Sequence, residues 1–328
     1  MNALPLVSIL TASYNHSEYL DEYFHSLLEQ TYENIELVFI DDVSSDNTWE
    51  KTLSFQSRLE AKLSKVILLR NPENRGLVHT LAKLKDYPTG QFIGILESDD
   101  RYKPDMLTTS FNYLNDHPTF GAVHCEVDFQ YPTHIEENHW ANLGRTLPEG
   151  DIYERLLKDN IILTCSFLCR VELFKKYVDF NKYLERGYLT ADYPMFLDMA
   201  RHTHFGYIDQ SLAIYRVVPD SISHPRDIKK QFKWKEAYYH IKRDYIQEFG
   251  ASPEVTARAN KQYHRNLMEA GYALFNKEKF HRGYNWLISH YPKEFSRYVY
   301  RLQKLGMKSR IIWVFTRKIE SIWRLARL

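Results

Sequence analysis

Four short apolar segments, each followed at once by polar residues, place the strongest constraint on how this chain can fold. They are Val7–Ala12, Glu36–Ile40, Val66–Leu69 and Phe92–Leu96, and helical patterns separate them. Strands that are apolar throughout, rather than alternately apolar and polar, are typical of a parallel sheet that helices cover on both faces. We therefore predict an α/β fold with a Rossmann-like, mostly parallel central sheet flanked by helices.

Polar residues collect where each predicted strand ends. The four sets are Tyr14-Asn15, Asp41-Asp42, Asn74–Gly76 and Glu97–Asp100. Ligands of open parallel sheets bind outside the carboxyl ends of the strands, so we expect all four sets to contribute to one site. The chain has neither a GxGxxG nor a GxxxxGK[ST] motif, which excludes the usual dinucleotide and P-loop solutions.

The fourth set places three carboxylates, Glu97, Asp99 and Asp100, within four residues. Such crowding is unfavourable unless a positive charge lies nearby. Mg²⁺ or Mn²⁺ commonly binds one or two carboxylates together with substrate phosphates, so the cluster is a candidate metal site. A solvated acidic turn is the alternative interpretation, and Asp41-Asp42 at a preceding strand end favours the metal.

Composition and charge restrict the class of protein further. The cysteines, Cys125, Cys165 and Cys169, are too few and too irregularly spaced for a disulfide scaffold, which favours a reducing compartment. No apolar run is long enough to span a membrane, and residues 1–5 lack the basic start of a signal peptide, so we expect a cytoplasmic location. The formal net charge of +1 hides a split, since residues 221–328 carry 23 Lys and Arg against 9 Asp and Glu.

The remainder of the chain is less regular. Between 125 and 224 we predict helices around 149–157, 171–177 and 193–201, and short strands near 164–168, 205–208 and 212–217. Beyond Pro225 the pattern is mostly helical, with predicted helices around 229–249, 253–275, 280–291 and 311–328. We predict a first domain at 1–224, with halves 5–124 and 125–224, and a basic helical appendage at 225–328.

The ordered motifs resemble those of the family-2 glycosyltransferases, which have the GT-A fold. The resemblance covers residues 5 to 224 and rests on Val7–Asn15, Gln30–Tyr32, Glu36–Asp42, Ser45–Thr48, Asn74–Gly76, Glu97–Asp100, Ala191–Tyr193, Leu212–Arg216 and Ser221–Ser223. It implies transfer of a sugar, with inversion, from a nucleotide diphosphate-sugar to a hydroxyl of a glycan or lipid-linked acceptor. A UDP-sugar is the first candidate donor.

The resemblance also implies roles for individual residues in donor binding. Ala12 and Tyr14 would line the nucleotide pocket, with Tyr14 stacking near the base. Asp42 would accept a hydrogen bond from the base, and Arg75 would add a contact. Glu97 stands where the metal motif of the family often begins with Asp, which moves its role to the ribose or to water.

The metal and the catalytic base are assigned in the same way. Asp99 is the first choice as ligand of Mn²⁺ or Mg²⁺, and Asp100 is the second. Asp192 matches the carboxylate that acts as general base. Arg216 would pair with the diphosphate, with a structural salt bridge as the alternative.

Departures from the family pattern leave two other functions open. Ala191 occupies the position before the base where relatives often have Glu, and Glu97 replaces an Asp. Both changes fit a non-catalytic module that binds nucleotide-sugars on the same fold. A nucleotidyltransferase is a weaker alternative, because no glycine- and lysine-rich phosphate loop is present.

The last predicted helix is cationic and amphipathic. Its apolar face would consist of Ile312, Phe315, Ile319, Ile322, Trp323 and Ala326. This pattern suits peripheral contact with the anionic inner face of a membrane, and packing on the protein's own core is the alternative. No helix-turn-helix, zinc or RNA-binding signature accompanies the basic charge, so we expect no nucleic-acid partner.

Overall fold

The chain forms two compact units in a computed structural model that describes residues 4–325, with the side chains at 298, 299 and 318–325 outside the description. The units are Met1–Val218 and Pro219–Leu328. The division falls six residues before the position 224 at which the sequence places the end of the first domain.

A mixed nine-stranded sheet forms the centre of the first unit. Its strands are β1 (Val7–Ser13), β2 (Ile35–Asp41), β3 (Lys65–Arg70), β4 (Phe92–Ile95), β5 (Arg101–Tyr102), β6 (Phe120–Gln130), β7 (Ile135–Glu136), β8 (Phe167–Arg170) and β9 (His204–Arg216). Their order across the sheet is β3-β2-β1-β4-β8-β6-β9-β5, and β7 pairs with β6.

The first four strands are parallel, as the sequence predicts. Ser13 of β1 pairs with Asp41 of β2, which pairs with Arg70 of β3. Leu10 of β1 pairs with Ile95 of β4. This register brings the carboxyl ends of the four strands to one edge of the sheet.

The other half of the sheet differs from the sequence prediction in detail. The two strands predicted near 205–208 and 212–217 are a single strand, β9, which runs parallel to β6. Its register shifts so that Cys125 faces Ile208 while Glu126 faces Ser211, which absorbs two polar residues in a bulge. The strand predicted near 164–168 begins as the 3-10 helix Thr164–Ser166 and continues as β8, which is antiparallel to β4 and β6.

Helices cover the sheet of the first unit. They are α1 (Leu20–Leu28), α2 (Thr48–Lys62), α3 (Leu77–Leu84), α4 (Met106–Asp116), α5 (His139–Asn142), α6 (Tyr153–Lys158), α7 (Val171–Tyr177), α8 (Phe180–Glu185) and α9 (Asp192–Ala200). Phe24 of α1 stacks on Phe55 of α2 and contacts Phe39 of β2, so aromatic rings join the helices to the sheet. The helix predicted near 149–157 begins only at Tyr153, because Gly150 has a φ of 89° and bridges to Phe205.

A buried carboxylate joins the strands at the edge opposite their carboxyl ends. Glu36 of β2 is fully buried and lies 2.6 Å from Lys65 Nζ of β3. It also accepts hydrogen bonds from the hydroxyls of Ser8 and Thr89 and from the backbone N–H of Thr89. Burial alone would raise the pKa of Glu36, but these partners outweigh it and hold the pKa below its usual range.

The second unit is helical, and it contains two helices that the sequence analysis does not predict, α13 and α14. Its helices are α10 (Ile228–Phe249), α11 (Pro253–Ala273), α12 (Lys277–His290), α13 (Pro292–Phe295), α14 (Tyr298–Gly306) and α15 (Arg310–Leu325). Met268, Tyr272, Phe280 and Leu287 belong to its buried core. Gly283 lies where α12 crosses α11, and a methyl group there would clash with the backbone of Met268.

The last helix packs partly on this core. Trp313 Nε1 donates to the carbonyl oxygen of Tyr272, and the buried Thr316 hydroxyl pairs with Tyr272 Oη. Of the predicted apolar face, the side chains of Ile319, Ile322 and Trp323, and the whole of Ala326, lie outside the described residues. Among residues 4–325, no helix combines the length and the apolar composition needed to cross a bilayer.

All three cysteines are buried and form no disulfide. Burial raises the pKa of Cys125, Cys165 and Cys169. The carboxylates of Asp100 and Glu97 raise that of Cys165 further.

We expect Glu36→Gln to lower the free energy of unfolding by about 2–3 kcal/mol at neutral pH, because the amide cannot satisfy Lys65 and three backbone or hydroxyl donors in a buried site. The depressed pKa of Glu36 stabilises the fold above the unfolded-state pKa, and this contribution is lost as pH falls through the folded-state value. The difference between wild type and variant should therefore shrink below about pH 4. Denaturant unfolding between acidic and neutral pH measures it.

The exposed Glu33→Gln, three residues away, is the matched control and should change stability by less than about 0.5 kcal/mol. Equal stability of Glu36→Gln and wild type at neutral pH would contradict the anchoring role of Glu36.

Candidate active site

The loop after β3 is held by one carboxylate at the end of β2. Asp42 is buried, and its oxygens accept hydrogen bonds from the backbone N–H groups of Arg75 at 3.1 Å and Gly76 at 2.7 Å. Asn71 Nδ2 donates to it at 2.7 Å. Gly76 has a φ of 85°, a left-handed conformation that glycine adopts without strain. The structure thus joins the second and third polar sets of the sequence through Asp42.

The residues of this region that are predicted to bind the nucleotide differ in solvent exposure. Tyr14 is 47% exposed, so its ring is available for stacking, whereas Ala12 is buried beneath the site. The Arg75 side chain is exposed and pairs with Glu73 at 3.0 Å.

Two residues with positive φ connect the ends of β1 and β2. Asn15 has a φ of 55°, and Val43 has a φ of 59°, which is unfavourable for a β-branched residue. The Asn15 N–H donates to Ser44 Oγ at 2.9 Å, and Asn15 Oδ1 accepts from the Ser45 N–H at 2.8 Å. Backbone strain of this kind is concentrated at functional sites.

A histidine that the sequence analysis did not single out links β1 to the turn after β4. His16 Nδ1 lies 2.8 Å from Ser98 Oγ and 3.9 Å from Asp99 Oδ1. Ser98 Oγ also donates to Ser13 Oγ at 2.8 Å. Through these contacts the polar sets of the first and fourth strands meet. In the sequence, His16 could have been recognised by its position directly after Tyr14-Asn15.

The three carboxyl groups of this turn have different surroundings. Glu97 accepts a hydrogen bond from Thr164 Oγ1 at 2.5 Å, while burial and the charge of Asp99 raise its pKa to about 8. Burial, followed by the charges of Asp99 and Glu97, holds the pKa of Asp100 well above its usual range. The Asp99 side chain is 18% exposed and is the more open of the two predicted metal ligands.

The turn suits a divalent cation that is shared with a ligand. Oδ2 of Asp100 is buried, and no N–H or O–H group of a described residue donates to it. No three His, Cys, Asp or Glu side chains of the described chain form a complete metal site. Asp99 and Asp100 supply hard carboxylate oxygens, so a cation here would complete its coordination with phosphate oxygens and water.

Arg216 at the end of β9 fastens this turn. Its backbone N–H donates to Asp100 Oδ1 and its Nε donates to the carbonyl oxygen of Asp99, each at 2.8 Å. Its guanidinium lies 3.0 Å from Glu22 and 4.9 Å from the centre of the Tyr19 ring. The structural salt bridge considered for Arg216 is therefore present, and contact with a diphosphate stays a prediction.

The predicted base lies at the start of α9. Asp192 is the first residue of that helix, and it accepts hydrogen bonds from the Thr190 hydroxyl and, at 3.5 Å, from Asn160 Nδ2. Burial raises the pKa of Asp192 above its usual value. The charge of Asp192 in turn helps to raise the pKa of Glu97, so the two carboxyl groups interact across one site.

Comparison with known families identifies the chain. The sequence model of Glycosyl transferase family 2 matches residues 8–178, slightly more than half of the chain. The chain therefore belongs to this family. The matched span contains all four polar strand ends and stops before Asp192 and Arg216, so the assignment of the base stays a prediction.

Relatives of known sequence are also glycosyltransferases by name. An uncharacterized glycosyltransferase of Haemophilus influenzae is 29% identical over 189 residues, which span 57% of this chain and only about half, 53%, of that protein. WfgD of Escherichia coli, a UDP-Glc:alpha-D-GlcNAc-diphosphoundecaprenol beta-1,3-glucosyltransferase, is 26% identical over 245 residues, covering 74% of this chain and 87% of WfgD.

Two solved structures share the fold over nearly the whole chain. S. aureus TarS 1-349 in complex with UDP-GlcNAc has a TM-score of 0.55 at 13% identity and covers 98% of this chain and 92% of its own. The mannosyltransferase PcManGT of Pyrobaculum calidifontis, in complex with GDP-Man and Mn²⁺, has a TM-score of 0.57 at 14% identity, with coverages of 98% and 88%. At these identities the likeness establishes the fold alone, and it confirms the predicted GT-A class.

We expect Asp42→Asn to release the loop that contains Arg75 and Gly76, because an amide nitrogen cannot accept hydrogen bonds from their backbone N–H groups. The free energy of unfolding should fall by about 1–3 kcal/mol. Amide hydrogen exchange at Arg75 and Gly76 should accelerate at least about tenfold. Asp86→Asn, an exposed matched control, should change neither quantity. Unchanged exchange at both amides in Asp42→Asn would show that the loop is held by other contacts.

Proposed function

We propose that this member of the family transfers a sugar, with inversion, from a nucleotide diphosphate-sugar to a hydroxyl of a glycan or lipid-linked acceptor. A UDP-sugar is the first candidate donor. The observation that carries the proposal is the joining of the polar strand ends at one edge of the sheet, where Asp42 holds Gly76 and His16 contacts Ser98. The charge of Asp192 acts on Glu97 of the carboxylate turn, which supports placing the base beside it.

The donor would occupy the strand ends. Tyr14 offers a half-exposed ring to the base, and the buried Ala12 and the exposed Arg75 would add contacts. Asp42 already accepts hydrogen bonds from three donors of the protein, with the Arg75 N–H shared between both oxygens, and a base N–H would be a further donor to this carboxylate. The fold shared with TarS in complex with UDP-GlcNAc supports a nucleotide-sugar at these strands.

Asp99, with Asp100, would hold Mn²⁺ or Mg²⁺. When bound, such a cation stabilises the negative charge that develops on the departing diphosphate. The burial of Asp100 Oδ2 and the crowding of the turn support this assignment, as does the shared fold of PcManGT in complex with GDP-Man and Mn²⁺. Arg216 would act by positioning the turn through its bonds to Asp99 and Asp100.

Asp192 would act as general base. Its carboxylate takes the proton of the acceptor hydroxyl, whose oxygen attacks the anomeric carbon of the donor as the bond to the diphosphate breaks. The products are the glycosylated acceptor, the nucleoside diphosphate and protonated Asp192. Thr190 and Asn160 hold the carboxylate in place. In the absence of a cation, burial and the charge of Asp99 raise the pKa of Glu97 to about 8, and in its protonated form Glu97 would donate a hydrogen bond to the ribose or to water.

A lipid-linked acceptor would place the reaction at the cytoplasmic side of a membrane, with peripheral contact through the last helix. The relative WfgD, whose name specifies a diphosphoundecaprenol-linked acceptor, supports this class of acceptor. We propose no nucleic-acid partner.

We expect Asp192→Asn and Asp99→Ala each to lower transfer at least about a hundredfold. The measurement is release of nucleoside diphosphate from UDP-Glc, UDP-GlcNAc and GDP-Man with Mn²⁺, alongside calorimetry with UDP and Mn²⁺. Asp192→Asn should still bind UDP, whereas Asp99→Ala should lose the Mn²⁺ dependence of binding. Asp209→Asn, an exposed control, should behave as wild type.

Normal turnover by Asp192→Asn would remove that residue from the base role. Tight UDP binding without sugar release by wild type would favour the binding module.

The acidic limb of the pH–rate profile offers a separate test. Only unprotonated Asp192 can accept the proton, so kcat/KM should fall as pH drops through a pKa that lies above the ordinary Asp value of about 4. The Thr190 hydroxyl stabilises the charged form, so Thr190→Val should move this limb to higher pH. An identical limb in wild type and Thr190→Val would show that another group controls it.

A further inference from the structure

The outer side of the last helix is apolar and uncovered in the described part of the chain. Ile311, Val314 and Phe315 of α15 are 73%, 46% and 62% exposed, and their spacing of three and four residues places them on one face. Single exposed apolar side chains are common, but three within five residues form a ridge.

The opposite side of α15 is already occupied. Trp313 and Thr316 bond to Tyr272, and Phe275 packs against the Trp313 ring at 5.4 Å. The helix therefore packs on its own unit through these residues, and Ile311, Val314 and Phe315 are not needed for that contact. Of the two alternatives set out from the sequence, packing on the protein's own core is present through Trp313 and Thr316, and contact with a membrane stays a prediction.

Cations flank the ridge. Lys308, Arg310 and Arg317 are exposed, and no ion pair of theirs is found among the described residues. The Arg317 guanidinium lies 5.2 Å from the centre of the Trp313 ring. From Ser296 to Leu328 the sequence contains nine Lys and Arg and one acidic residue. A second copy of the chain would bring the same cations against this surface, so a like-charged partner is disfavoured. An anionic surface with an apolar interior would bind both the apolar ridge and the cations beside it.

We infer that the ridge Ile311, Val314 and Phe315, with its rim Lys308, Arg310 and Arg317, binds the surface of an anionic lipid bilayer. This specifies the peripheral membrane contact included in the proposed function by naming its residues and its lipid, and it does not depend on the transfer reaction. The contact is interfacial: the apolar side chains enter the headgroup region, and the cations remain with the lipid phosphates. It also changes the predicted face, since Ile311 and Val314 join Phe315, and Trp313 turns inward.

The test is flotation of the full chain with vesicles of phosphatidylcholine, with or without about one third phosphatidylglycerol. Wild type should bind the anionic vesicles at least about tenfold more tightly than the neutral ones. The double variant Ile311→Ser/Phe315→Ser should lose at least about tenfold in binding to both kinds of vesicle. Lys308→Gln/Arg310→Gln should lose mainly the preference for the anionic lipid. Leu53→Ser, which removes a similarly exposed apolar side chain from α2 of the first unit, is the control and should bind as wild type.

Thermal unfolding of each variant verifies that the fold is intact, and UDP binding with Mn²⁺ should be unchanged. Asp192→Asn should float as wild type does, so failure of the proposed transfer would be seen separately. Equal flotation of wild type and Ile311→Ser/Phe315→Ser would overturn the inference. So would absence of flotation together with a dimer, seen by sedimentation, that Phe315→Ser separates.

Discussion

Three carboxyl groups compressed into the turn after β4 are the constraint on which the site depends. Glu97, Asp99 and Asp100 cannot all be charged at low cost when Asp100 is buried and the other two are partly buried, and the raised pKa values of Glu97 and Asp100 express that cost. The turn is nevertheless held in place, because Arg216 donates hydrogen bonds to it from β9 and Thr164 donates one from the 3-10 helix before β8. The protein thus holds an arrangement that a cation and a diphosphate would stabilise.

The parallel half of the fold could be predicted because its signal is local. Uniformly apolar strands and polar residues at their ends identify the sheet and the edge that bears the site, and the register Ser13–Asp41–Arg70 agrees with that expectation. The second half was harder, since the polar residues between the two predicted strands look like a loop. In the structure they form a bulge in β9, which only pairing with β6 makes visible.

The roles of single site residues depended on contacts that sequence spacing does not reveal. Asp42 bonds to backbone groups 33 and 34 residues away, and His16 meets Ser98 from 82 residues away. Arg216 reaches Asp100 across 116 residues. Helical periodicity likewise finds the apolar residues of α15, but which of them are covered depends on the position of Tyr272.

The reactivity of the buried thiols provides a measure of local opening in this half of the sheet. Cys165 lies next to the carboxylates of the site, while Cys169 and Cys125 belong to neighbouring strands β8 and β6, and none of the three is accessible. A thiolate is the reactive form of cysteine. In the folded protein the raised pKa lowers the fraction of thiolate, and burial keeps reagents away from the sulfur. Alkylation by a thiol reagent must therefore wait for this half of the sheet to open, and its rate counts those openings. A ligand bound at the neighbouring carboxylates would therefore slow the labelling of Cys165.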